Sequence, residues 1–162
     1  MRAAVYSERM SERVDRAERR IAAPRPEVYR ALVTPESLLA WLPPEGMTAR
    51  FERFDASGYR MVLTYGESGH GKSSEDTDVV ETEFVKLVPD ERVVQRIVFA
   101  AEDPAFAGVM TMRWSLSDVA EGTLVTIEAR DVPPGISPDD HRTGLTSSLA
   151  NLATHLGRPT AP

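Results

Sequence analysis

The 162-residue chain contains no cysteine. Disulfides, thiolate nucleophiles and cysteine-ligated zinc or iron–sulfur sites are excluded, and the composition fits a reducing compartment, so the cytoplasm is the expected location. Histidine is scarce: His70, His141 and His155 show no metal-ligand spacing such as HExxH, and neither a metal nor a cofactor is expected. No run approaches eighteen apolar residues, and the stretch from Met1 to Arg20 is charged throughout, which argues against a spanning helix, a secretory signal and membrane insertion. Net charge is −6 with both signs interleaved, so no basic stripe is offered to a phosphate backbone and nucleic acid is not an expected partner.

What is present suffices for one domain, since a chain of this length buries roughly 70% of its unfolded surface without a staple. We assign 1–11 to a flexible extension, 12–158 to a single domain and 159–162 to a flexible tail. Met10 stands just before the first strand, so a start at Met1 or at Met10 stays open. Val14 to Ile21 reads as an edge strand stopped at Ala22-Ala23-Pro24. Pro26, Glu27 and the spacing of Val28, Tyr29, Leu32 and Val33 predict a first helix. Thr34-Pro35-Glu36 restarts a second, with threonine as N-cap, which carries Leu38, Leu39, Trp41 and Leu42 before Pro43-Pro44 ends it.

From Met47 to Asp131 the period becomes two, and six strands are predicted at roughly 47–55, 58–65, 78–88, 91–100, 107–117 and 122–131. Pro133-Pro134-Gly135 breaks this pattern. Ser137-Pro138-Asp139-Asp140 then opens a last helix whose Leu145, Leu149, Leu152 and Leu156 form one stripe ending at Gly157. Tyr59, Met61, Leu63 and Tyr65 share one strand face, as do Met110, Met112, Trp114 and Leu116, while Arg60, Thr111, Arg113 and Ser115 lie opposite. The expectation is an α+β fold: a seven-stranded, curved antiparallel sheet around a long C-terminal helix, with a concavity between them.

This order resembles the helix-grip superfamily of START-like and polyketide-cyclase-like domains. Within it, the match is to the family related to the activator of the heat-shock protein 90 ATPase. The carrying residues are Arg20 to Pro24 with Val28 to Leu32, Thr34-Pro35-Glu36 through Leu39 to Leu42, Val85 through Pro89 to Val94, Glu121-Gly122-Thr123, and Gly144 through Leu149 and Leu152 to Leu156. The resemblance implies a domain that binds an apolar or amphipathic small molecule between sheet and last helix. A tryptophan common near the start of that helix is replaced here around Gly144-Leu145, which would widen the cavity mouth.

Several residues have two readings. Trp41 is a core anchor or an overhang at the pocket entrance. Trp114, beside Met110 and Met112, fits an irregular core or an adaptable ligand wall. Buried Tyr59 and Tyr65 need hydroxyl partners, and Gln95, in the inward series with Val93 and Ile97, is satisfied across strands or aimed at a ligand. If Val85 and Leu87 point inward, Glu81 and Glu83 do too, and a buried carboxylate pair would supply an acid–base group; a bulge or solvent would instead leave both hydrated. The Gly66 to Ser73 loop ends in Gly-Lys-Ser, but it precedes an acidic tract and a strand, so it reads as a lip over the pocket with His70 as its titratable group, not a phosphate loop. His141 and His155 are expected to face solvent or a helix end.

The sequence favours a non-catalytic carrier or sensor of a small apolar ligand and leaves an enzymatic role open. Its candidate ligand-binding residues are Trp41, Tyr59, Met61, Tyr65, Glu83, Gln95, Met110, Met112, Trp114, Leu145 and Leu149, with no catalytic residue. The alternatives are a polyketide cyclase or aromatase, motivated by Glu81, Glu83 and Tyr65, and a chaperone-interaction module, which follows from the family name alone. A homodimer through a free sheet edge is a further expectation.

Overall fold

The computed structural model describes residues 13–44, 46–65, 77–100 and 103–157. Seven strands form one sheet: β1 Val14–Ile21, β2 Met47–Asp55, β3 Gly58–Tyr65, β4 Thr77–Val88, β5 Arg92–Phe99, β6 Met110–Val119 and β7 Gly122–Arg130. Their order is β1-β7-β6-β5-β4-β3-β2, with every neighbouring pair antiparallel. Helices α1 Arg25–Val33 and α2 Pro35–Trp41 follow β1, and α3 Pro138–Leu156 closes the fold. This is the predicted helix-grip arrangement. The assigned flexible ends, the Gly66 to Ser73 loop and His70 lie outside the described residues.

Local chemistry explains the boundaries. Each helix has proline in its first turn, where the missing N–H costs nothing. Ser137 caps α3 by accepting from the Asp140 amide at 3.1 Å, whereas Thr34 occupies the N-cap of α2 without a side-chain capping bond. β6 begins at Met110, later than predicted, because Asp103 accepts from the Ala105 amide and winds Pro104–Phe106 into a short 3-10 turn. Gly58 opens β3 so close to β4 that a Cβ there would lie 2.0 Å from the Thr82 carbonyl oxygen.

The core lies between the concave face of the sheet and α3. Val93, Val125, Ile127 and Ala129 are fully buried on the sheet, facing Leu145, Leu149 and Leu152 of the predicted helix stripe. Two bulges bend the far edge, one in β2 between Phe51 and Arg53 and one in β4 between Phe84 and Lys86. Beneath them Phe51, Phe54, Tyr59 and Phe84 cluster with ring centroids 5.1 to 6.3 Å apart.

Candidate functional site

Between the sheet, α2 and α3 the side chains leave a cavity of about 270 Å³. Its walls are mostly apolar: Leu38 and Trp41 on α2, Met61 on β3, Met110, Met112 and Trp114 on β6, and Leu145 on α3. It lies just below the roughly 300–1,000 Å³ usual for ligand sites and holds about nine water volumes. A separate cleft beside β1 is walled by Arg13, Arg16, Glu18 and Arg142. Its charged, largely exposed rim suits solvent, so the apolar cavity is the candidate site.

Trp41 combines both sequence readings. It is 2% exposed, donates its indole N–H to the Ala31 carbonyl at 2.9 Å and lines the cavity. Its ring meets Trp114 edge to face at 5.7 Å. Trp114 in turn donates to the Gln95 carboxamide oxygen at 3.2 Å. Because an indole N–H only donates, this bond fixes the amide orientation and leaves the Gln95 NH₂ group at the cavity wall. Burial raises the Tyr59 phenol pKa, opposed by a hydrogen bond to Thr82, so this hydroxyl stays neutral and its partner is the protein.

Eight of the eleven predicted binding residues line this cavity: Trp41, Tyr59, Met61, Gln95, Met110, Met112, Trp114 and Leu145. Three do not. Leu149 is 1% exposed and belongs to the core behind the cavity. Tyr65 donates its hydroxyl to Asp78 at 2.6 Å at the end of β3, and burial together with that carboxylate pushes its pKa up. Glu83 points to the outer face, where it pairs with Arg96 at 3.7 Å, and Glu81 bridges Arg53 and Arg60 at 3.1 Å each. The assumption behind an inward carboxylate pair fails at the Phe84/Lys86 bulge. Val85 is the extra residue, so its exposed side chain says nothing about the phase of the strand before it. The inward residues there are Val80, Thr82 and Phe84.

Thr82 was missed for that reason, although a signal existed. Arg60 and Glu81 pair directly across β3 and β4, as do Glu83 and Arg96 across β4 and β5, and the arginines had an outward phase.

His141 corrects a second expectation. It turns inward, its side chain is 12% exposed, and its ring lines the cavity. Its Nδ1 lies 2.6 Å from Oδ2 of Asp15, whose carboxyl is 4% exposed on the inner face of β1. Arg13 donates to both carboxyl oxygens, from Nε at 3.0 Å and Nη2 at 2.8 Å, and also to the Ile136 carbonyl at 2.7 Å. Burial alone would raise the Asp15 pKa, but the hydrogen bonds from Arg13 and His141 outweigh it and hold the carboxyl below its ordinary value. Helical spacing contained this residue: His141 stands four positions before Leu145 on the same stripe.

Seven antiparallel strands gripping a C-terminal helix over an apolar cavity define an α+β helix-grip domain. The model of the Activator of Hsp90 ATPase homolog 1-like protein family matches residues 22–157, and the chain belongs to that family. A crystal structure of a Chromobacterium violaceum protein is similar at 28% identity and a TM-score of 0.78, covering 90% of this chain and 98% of that one. A Mesorhizobium loti protein aligns at 22% identity and TM-score 0.69 over 92% and 100% of the two chains. DynU16, a protein in the dynemicin biosynthetic locus, shares the fold at 20% identity and TM-score 0.62, covering 88% of this chain and 46% of that one. No curated protein matches this chain. Among the described residues, no helix is long and apolar enough to cross a membrane, and no group of three or more acidic or histidine side chains is placed to hold a metal ion.

Proposed function

We propose that this protein binds a small hydrophobic or amphipathic molecule in the cavity between the sheet and α3, as a carrier or sensor. The observation that carries the reading is the cavity itself: a space of about 270 Å³ with aromatic, methionine and leucine walls and few polar groups. A well-packed core leaves few voids larger than a water molecule, so a space of this size is an exception in need of a purpose. Membership of a fold family that commonly binds hydrophobic ligands supports the same reading. The size favours a compact molecule of one or two rings over a long acyl chain. The five methionine and tryptophan side chains of Met61, Met110, Met112, Trp114 and Trp41 give a polarizable wall that adapts to such a shape.

The carboxylate-pair motive for an enzyme falls with Glu81 and Glu83 on the outer face. Native mass spectrometry of freshly purified protein against a denatured control tests the reading. A specific co-purifying mass, or stabilisation by small apolar compounds, supports it; an empty protein that responds to none of them counts against it.

A further inference from the structure

The cavity wall carries one unit that a passive apolar container does not need. Asp15 and His141 are 126 residues apart in sequence, yet their side chains meet at 2.6 Å, with the carboxyl almost fully buried and the imidazole at the cavity wall. The direction of that bond follows from the donors and acceptors. Asp15 already accepts two charge-assisted bonds from Arg13, so it is an ionised carboxylate that only accepts. The shared proton therefore sits on Nδ1, and Nε2 is the ring nitrogen without a protein partner among the described residues, a lone pair whenever the ring carries one proton.

The surroundings limit what that lone pair can do. Among the described residues no lysine, arginine, aspartate or glutamate lines the cavity, and the phenol of Tyr59 is the other titratable group there. Asp15 is the charge of β1 that meets His141, and Arg13, just before the strand, holds that carboxylate. Ser148, which also lines the cavity, stands seven residues further along α3, about 10.5 Å by helical rise, too far to be activated as a nucleophile by this ring. The arrangement is an oriented acceptor.

We propose that the Asp15–His141 pair is the polar end of the cavity and selects a compact, largely apolar molecule carrying a phenol-like hydroxyl, whose hydrogen it accepts and whose proton it can take. The proposal rests on the cavity being a ligand site. In the proton step the ligand O–H bond breaks and an Nε2–H bond forms. An oxyanion faces an imidazolium held by Asp15, and nothing is oxidised or reduced. Asp15 is the positioning residue: it fixes the ring, its tautomer and the charge that forms.

Two probes of nearly equal size separate the claims. Naphthalene reports on the apolar cavity alone, and 2-naphthol adds one hydroxyl and releases its proton to a neighbouring base when excited, with a red-shifted naphtholate emission. Wild-type protein is expected to bind 2-naphthol roughly tenfold more tightly than naphthalene, the upper worth of one hydrogen bond, and to show naphtholate emission from the bound probe. In His141→Phe and the more conservative His141→Gln the ratio of 2-naphthol to naphthalene affinity and the naphtholate emission should both fall. Asp15→Asn should weaken the emission through a disturbed tautomer. An unchanged naphthol preference and emission in the His141 variants would overturn the proposal. So would bound 2-naphthol in the wild type without naphtholate emission, a readout that needs no variant to fold. Failure of both probes to bind the wild type would instead defeat the cavity reading on which this one rests.

Discussion

Trp114 donates its indole N–H to the Gln95 carboxamide at 3.2 Å, and both side chains line the cavity while being about 5% exposed or less. The bond joins β5 to β6 and anchors one wall. Gln95→Leu would keep the bulk and remove the acceptor, leaving a buried N–H without a partner. The expected loss is about 1–3 kcal/mol in urea denaturation, with an unchanged denaturant slope. A loss well below this range would mean that the indole finds water in the cavity.

The outer-face glutamates should behave differently. Glu81 and Glu83 are 39% and 57% exposed at the side chain, where ion pairs are screened. Glu81→Gln and Glu83→Gln are each expected to cost less than about 1 kcal/mol and to leave naphthalene affinity unchanged. A large change in ligand affinity with either would return the carboxylates to the site.

Asp15 gives the acid side a signature. Its carboxyl binds a proton less readily in the folded protein than in the unfolded chain, so its stabilising contribution is complete above the unfolded value, near pH 4. It is lost as pH falls through the lower folded value. Stability measured from pH 5 to pH 2 should therefore fall less steeply in Asp15→Asn than in the wild type, although the variant starts lower. Parallel curves would show that Asp15 is not preferentially ionised in the native state.

The order of elements was legible because each signal is local. Proline in the first turn, a cap and a leucine stripe mark α3, and two-residue alternation broken at turns marks β2 to β7. Six wall residues followed from that alternation, and Trp41 and Leu145 from helical spacing. The misplacement of Glu83 came from one inserted residue, Val85, which shifts the phase of β4 in a way that polarity alone does not display. Asp15 was hidden differently. In a strand reading Val-Asp-Arg-Ala-Glu-Arg-Arg-Ile, one more charge attracts no notice, and its partner arrives only when β1 and α3 come together. Long-range polar pairs leave little trace in a single sequence.

Gly144 stands in the interior of α3, and a Cβ built there meets nothing within 4 Å. Glycine inside a helix costs about 0.5–1 kcal/mol relative to alanine, so Gly144→Ala should stabilise the protein by that amount in thermal or urea unfolding. Destabilisation would show that the open space at the cavity mouth is required by the fold.

The same position gives the most direct test of the ligand site. Gly144 lines the cavity, and an indole placed there is comparable in size to a two-ring ligand. Thermal unfolding of wild type and Gly144→Trp should be followed against naphthalene at a hundredfold excess over its Kd. The account predicts a wild-type Tm rise of roughly 5–10 °C by mass action and a flat response in the variant, which remains folded. Equal rises in both proteins would place the ligand elsewhere, and contradict the cavity as the binding site.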